Sequence, residues 1–163
     1  MSSLKNRFVY VIAVLVFLLL VGCSKEGASG TSTDVQAADA QALAFIKATV
    51  EADHEQLKNI LAPDSSHYRI LQAGTHIYPG AADRLKDRYQ IDRFSEEPND
   101  KGELYYKVRY YRENHNKDWT EYLRIVKVDN QWKVYEIEND EMQKQVITSE
   151  GATTVHPYKE GEQ

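Results

Sequence analysis

The fold class of this chain is indicated by residues 103–138, ELYYKVRYYRENHNKDWTEYLRIVKVDNQWKVYEIE. β-branched and aromatic residues alternate with polar ones over residues 103–112, 119–128 and 131–138, which is typical of half-buried strands. Turn-forming residues separate the three segments. Strands joined by such short links run antiparallel. A further strand is predicted over residues 89–94, so the second half of the chain is expected to form an antiparallel sheet.

The residues before this sheet follow a helical pattern. Apolar side chains recur at steps of three and four residues, as on one face of an amphipathic helix: Leu43, Phe45, Ile46, Val50, Leu57, Ile60 and Leu61. Asp53 and Gln56 have the spacing of a capping box, which predicts that a second short helix begins there. Pro63 closes this helix, because proline disfavours helical geometry in the preceding residue. The predicted fold class is α+β, with N-terminal helices packed on a curved antiparallel sheet.

The first 23 residues have the layout of a secretory signal. Lys5 and Arg7 precede 14 uncharged, almost wholly apolar residues (8–21), and Gly22-Cys23 follows. A helix needs about 20 apolar residues to cross a bilayer, so this run is short for a permanent span. Cys23 is the single cysteine of the 163-residue chain. It can form neither an internal disulfide nor a thiolate metal site.

The segment Leu20-Val21-Gly22-Cys23 resembles the lipobox of bacterial lipoproteins. The resemblance implies a signal peptide over residues 1–22 and lipidation of Cys23 with diacylglycerol. It further implies palmitate labelling and attachment to the extracytoplasmic face of the cell membrane. Two lipid chains hold a protein firmly, whereas one holds it only reversibly. The alternatives are an uncleaved signal anchor and an ordinary signal peptide cut nearby.

Composition divides the remainder into a tether, a domain and a tail. Residues 23–38 begin with the lipidated cysteine and continue as a flexible tether rich in small residues. Residues 39–139 form one α+β domain. Residues 140–163 are polar and are expected to be mostly disordered, the alternative being a terminal helix over residues 141–147. Loss of residues 1–22 removes 2 of 20 basic and none of 25 acidic side chains, leaving a formal charge of −7 that disfavours nucleic-acid binding.

Two segments carry a resemblance to a known fold family. These are ALAFIKATVEADHEQLKNILAPD (residues 42–64) and VDNQWKVYEI (residues 128–137), and they resemble the nuclear transport factor two-like superfamily, also called cystatin-like or ketosteroid isomerase-like. The resemblance covers residues 39–139 and implies a cone-shaped domain and pairing of two copies through the open sheet. The catalytic residues of its ketosteroid isomerases and epoxide hydrolases find no matching motif in this sequence.

Tyrosine is unusually abundant, with 11 in the chain. Alternation along residues 103–112 places Tyr106, Val108 and Tyr110 on one side of the strand, and Tyr105, Lys107, Arg109 and Tyr111 on the other. One set can line the mouth of the cone or complete the core. The other can contact a partner, because amphipathic rings beside cations suit recognition. The candidate binding residues are Tyr105, Tyr106, Lys107, Arg109, Tyr110 and Tyr111, although tyrosine is also simply a favourable strand residue.

No catalytic or metal-binding motif stands out, and no cofactor is expected. The five histidines lack metal-ligand spacing, and His115 falls in a predicted hairpin turn. Asp53 is explained by its capping role. The leading functional hypothesis is therefore a non-enzymatic, membrane-anchored binding module of the cell envelope whose ligand is a protein, peptide or wall component. The alternative is a small cavity enzyme, an isomerase, dehydratase or hydrolase, with Glu121 as proton acceptor. Glu121 shares a face with Leu123 and Ile125, so an inward orientation would raise its pKa by desolvation.

Overall fold

A computed structural model describes residues 32–74, 83–137, 140 and 151–160 of the chain. Within these residues lie three helices: α1 (Thr33–Val50), α2 (His54–Ile60) and α3 (Ser66–Gln72). Five strands follow: β1 (Tyr89–Arg93), β2 (Glu103–Arg112), β3 (Lys117–Val128), β4 (Gln131–Glu136) and β5 (Thr153–His156). The predicted α+β class, with helices first and an antiparallel sheet after them, is confirmed.

The strands form one curled antiparallel sheet in the order β4-β3-β2-β1-β5. β2 lies at its centre, where it pairs over its full length with β3 and along half its length with β1. Asp129 and Asn130 join β3 to β4 with positive φ angles of 48° and 62°. This two-residue connection suits the right-handed twist of neighbouring strands. The predicted turn at these two residues is confirmed.

The core lies between α1 and the concave face of the sheet. α1 contributes Val35, Ala42, Phe45, Ile46 and Val50, all inaccessible to solvent. The sheet contributes alternate residues of its central strands, as a period of two requires. These include Leu104, Tyr106, Val108 and Tyr110 of β2, Leu123 and Ile125 of β3, and Trp132 and Val134 of β4.

The first helix differs from its prediction at two points. It begins at Thr33, within the predicted tether, because the Ser32 side chain caps it by accepting a hydrogen bond from the Val35 amide. Val35 and Ala38 are buried, so the domain starts before residue 39. Leu43 is 37% exposed and does not belong to the core face. The helix runs without a break from Thr33 to Val50. The face that packs on the sheet is therefore the one that carries Ala42, Phe45 and Ile46.

The two short helices close one end of the domain. Asp53 caps α2 by accepting a hydrogen bond of 2.9 Å from the Gln56 amide, which confirms its predicted role. Leu61 follows α2 in an isolated parallel bridge to Val134, so this end of the helical layer is fixed to β4. Ser65 then caps α3, whose sequence shows no clear apolar periodicity.

The C-terminal region contributes a strand that the sequence did not predict. The tail was expected to be mostly disordered, but Thr153–His156 forms β5 at the β1 edge of the sheet. The His156 ring stacks on Tyr89 with centroids 3.9 Å apart and an interplanar angle of 14°. The alternative of a helix over residues 141–147 lies outside the described residues.

A buried ion pair joins α1 to β1, on the side of the sheet away from β4. Arg93 is only 2% exposed and donates a 2.6 Å hydrogen bond to Oδ2 of Asp39. The Tyr106 hydroxyl donates to the other oxygen of the same carboxylate at 2.8 Å. Burial and the Asp39 charge raise the pKa of Tyr106 far above its ordinary value, so this phenol stays a neutral donor.

Candidate functional site

A group of polar side chains lies on the concave face, where β2 ends, β3 begins and β4 ends. Its members come from three strands and from α3: His67, Tyr110, Arg112, Glu121 and Glu136. We call it the Glu121 cluster. The four strand residues of the cluster point to the same side of the sheet as the buried residues Val108, Leu123 and Val134 of their strands. The apolar core thus gives way to charged groups at one end of the sheet.

Glu121 is held from β2. The Tyr110 hydroxyl donates a hydrogen bond to Oε1 of Glu121, while Oε2 of the same carboxylate is buried and has no hydrogen-bond partner among the described residues. Tyr110 is fully buried, so its phenol is fixed by packing before it meets the carboxylate. Glu121 lies on the inward face with Leu123 and Ile125, which is the orientation on which the expected rise of its pKa depended.

Glu136 is held from the helical layer. It ends β4, its side chain is 8% exposed, and its Oε1 contacts Nδ1 of His67. Its other oxygen, Oε2, is buried without a hydrogen-bond partner among the described residues. The Ser65 cap fixes the start of α3 and thereby brings His67 over the end of β4. Two carboxylates of one cluster therefore each keep an unused acceptor.

The electrostatics of the cluster act chiefly on Glu121. Desolvation by burial raises the pKa of Glu121 from its ordinary 4.5 to about 7. The Tyr110 hydrogen bond and the charges of His67 and Arg112 oppose this rise, whereas the negative charge of Glu136 adds to it. The Glu121 side chain is therefore much closer to its titration point at neutral pH than an ordinary glutamate is. It can give or take a proton, and it can donate or accept a hydrogen bond.

The six tyrosine-segment residues fall on two faces, as their alternation predicted. Tyr106 and Tyr110 are fully buried, and of the six only Tyr110 belongs to the Glu121 cluster. A surface patch that contains all six residues therefore does not form. The others lie on the outer face, where they are half-buried or exposed: Tyr105, Lys107, Arg109 and Tyr111.

Internal contacts use much of this outer face. Tyr111 lies under the guanidinium of Arg88, 3.4 Å from the ring centroid, and its hydroxyl bonds to Asn116. Arg109 donates to Asp118 at 2.6 Å and lies over the Tyr158 ring at 4.4 Å. The C-terminal segment thus covers part of the face that the sequence assigned to a partner.

The remaining candidates do not converge on a site. His115 is exposed in the short 3-10 turn between β2 and β3, as predicted. No group of three His, Cys, Asp or Glu side chains suited to a metal ion occurs in the part of the chain that the structure describes. Among those same residues, no helix has the length and apolar character needed to cross a bilayer. Residues 8–21 and the proposed lipidation site Cys23 lie outside the described residues.

Comparison with protein-family models, with curated proteins and with solved structures found no match for this chain. The site therefore rests on its own geometry. Sequence reasoning found Glu121 but missed Glu136, His67 and Arg112. Alternation along β4 places Glu136 on the face of Trp132 and Val134, and this signal was available. His67 gave no comparable signal, since it stands in a segment without periodicity and meets Glu136 only in the folded chain.

Proposed function

We propose that this chain is a lipid-anchored protein of the extracytoplasmic membrane face, with a nuclear transport factor two-like cone, that binds a small ligand at the Glu121 cluster. The order of helices before a curled antiparallel sheet supports the fold assignment. The observation that carries the function is the convergence of Tyr110, Glu121, Glu136 and His67, with Oε2 of each carboxylate lacking a hydrogen-bond partner among the described residues.

The unused acceptors indicate the chemistry of the ligand. A buried polar atom without a hydrogen bond costs about 1–3 kcal/mol, so Oε2 of Glu121 and Oε2 of Glu136 favour any molecule that donates to them. We therefore assign a small polar ligand that carries amine, amide or hydroxyl donors. The outer face is less suited to binding, because Arg109 and Tyr111 already form hydrogen bonds with other residues of the chain.

A fragment screen tests this binding function. Small amines, amides and alcohols are screened by ligand-observed NMR against the full chain in a non-ionic detergent. Glu121→Gln should weaken the hits at least tenfold, because an amide NH2 group, which donates and cannot accept, replaces one acceptor oxygen of the carboxylate. Glu97→Gln, an exposed change of the same kind, should leave them unaltered. Hits that bind both variants equally would refute the site.

Anchoring is tested separately. In the Cys23→Ala variant, unprocessed precursor should accumulate and metabolic labelling with palmitate should disappear, because the acceptor thiol is gone. Ser29→Ala, in the same small-residue segment, should be processed and labelled like the natural chain. Persistent label on the Cys23→Ala protein would overturn the lipoprotein assignment.

Acid–base catalysis at the same cluster is the second candidate, and the pKa of Glu121 near 7 favours it. General acids and bases work best when their pKa lies near the working pH. Carbonyl-bearing hits from the screen are incubated with the protein in D₂O. An enzyme of this kind would exchange the protons next to the carbonyl faster than its Glu121→Gln variant does. Binding without exchange leaves the non-enzymatic function.

A further inference from the structure

Three cations alternate along the segment that leads into β1. Arg84, Lys86 and Arg88 all line one shallow open depression on the outer side of the domain, together with Tyr111 and Glu113. Leu85, between the first two, packs against the core instead. Side chains at every second residue of an extended segment share one side, which explains why the basic ones meet at the depression.

The charge of this depression is not balanced. Its lining holds three cations and one carboxylate, and Glu113 pairs with Lys86. Asp83 accepts a 3.4 Å hydrogen bond from the Asn114 amide, and Asp87 lies 3.4 Å from Lys159, so these neighbouring acids have other contacts. A chain of formal charge −5 thus concentrates positive charge at one small concavity.

Arg88 is held in place for recognition. Its guanidinium stacks on the Tyr111 ring at 3.4 Å, and its carbonyl oxygen accepts a 3.0 Å hydrogen bond from the Tyr111 amide. Stacking fixes the plane of a guanidinium. The Tyr158 hydroxyl lies beside this guanidinium as one acceptor, whereas its Nε has no hydrogen-bond partner among the described residues. Arg84 is exposed at the rim of the same depression.

We propose that the Arg84–Lys86–Arg88 depression binds a phosphate group. Guanidinium groups match the oxygen spacing of phosphate and bind it through paired, charge-assisted hydrogen bonds. The site faces away from the Glu121 cluster, because Tyr111 and Tyr110 are adjacent residues of β2 on opposite faces. Phosphate binding at this depression therefore does not depend on ligand binding at the Glu121 cluster.

Phosphate can reach this site as a free anion or as a lipid headgroup, and two probes distinguish them. The full chain in non-ionic detergent is titrated with inorganic phosphate and with monomeric dihexanoylphosphatidylglycerol, at constant ionic strength, and followed by ³¹P NMR. Saturable binding of inorganic phosphate alone identifies a free phosphate. Saturable binding of the lipid alone identifies a headgroup diester. Binding of neither probe overturns the proposal.

Matched variants locate the binding. Arg84→Gln/Arg88→Gln should weaken binding of the probe at least tenfold, while Lys101→Gln/Lys127→Gln removes the same charge at two exposed positions elsewhere and should change the affinity less than twofold. Arg84→Gln alone, at an exposed position, should weaken binding at least threefold without loss of the folded state. Equal weakening by the two double variants would show attraction by overall charge and would refute the site.

Discussion

The hydroxyl of Tyr110 on β2 donates its hydrogen bond to Oε1 of Glu121 on β3, inside the concave face of the sheet. One fully buried phenol thereby meets one carboxylate at the point where the apolar core ends. The contact satisfies only half of the carboxylate, since Oε2 has no partner among the described residues. A side chain placed at such cost is typical of a functional position rather than a structural one.

Glu121→Gln is expected to stabilise the protein at alkaline pH. The pKa rise from 4.5 to about 7 corresponds to roughly 3 kcal/mol. Between these values the folded chain keeps a proton that the unfolded chain releases, so the stability of the natural protein falls as pH increases. The variant has no ionisable group at this position, so its stability does not fall with pH for this reason. Denaturant unfolding should give similar stabilities for both at pH 4.5 and a variant more stable by up to about 3 kcal/mol at pH 8.

A Glu121→Gln variant that is less stable than the natural protein at pH 8 would contradict this expectation. Glu97→Gln, on the exposed loop after β1, controls for the loss of one carboxylate and should show no such pH dependence.

Tyr110→Phe should raise the pKa of Glu121 above 7. The Tyr110 hydrogen bond stabilises the ionised carboxylate and so lowers the pKa of Glu121, whereas burial raises it. Without the hydroxyl, the lowering effect is lost. Loss of the buried bond should also destabilise the fold by about 1–3 kcal/mol. Carbon-13 NMR titration of the glutamate carboxyls measures the pKa directly. In Tyr111→Phe, changed on the opposite face, the pKa of Glu121 should remain near 7; equal effects of both variants would be inconsistent with the observed contact.

Asp39→Ala should be among the more damaging single changes. It removes the buried carboxylate partner of the 2%-exposed Arg93, which keeps only the exposed Glu96 at 3.3 Å, and it takes the acceptor from the Tyr106 hydroxyl. Breaking a buried pair in this way costs about 3–5 kcal/mol. Asp118→Ala breaks a pair with the more exposed Arg109 and should cost about 1 kcal/mol or less. Equilibrium unfolding of the two variants makes the comparison, and equal losses would argue against a buried pair.

Deletion of residues 151–163 should loosen β1 while leaving β4 intact. β5 supplies the second pairing partner of β1, and the His156–Tyr89 stack alone is worth about 0.5–1.5 kcal/mol. Hydrogen exchange at the β1 amides should accelerate at least tenfold. His156→Ala should reproduce part of this effect, whereas Lys159→Ala should not. Unchanged exchange in β1 after the deletion would mean that β5 adds nothing to the sheet.

The strands β1 to β4 were predictable because their residues alternate and turn-forming residues separate them. β2 has its predicted bounds, and β3 begins at Lys117, two residues before the predicted start. α2 was predictable from its Asp53 cap. In each case the signal is local, and the tertiary structure agrees with it.

The features that the sequence did not reveal depend on distant contacts. β5 has one larger apolar side chain, Val155, and becomes a strand because β1 offers it an open edge. α3 begins at a serine cap in a segment without apolar periodicity, and only the fold brings its His67 to Glu136. Sequence alternation could place Glu121 inside, but it could not identify the partners that make it part of a cluster.

A crystal structure of the chain with its tightest-binding donor fragment would locate the ligand relative to the Glu121 cluster. We expect fragment density on the concave face, with an amine, amide or hydroxyl group about 2.7–3.2 Å from Oε2 of Glu121 or of Glu136. A fragment bound elsewhere, with no donor group within hydrogen-bond distance of either carboxylate, would contradict this binding site.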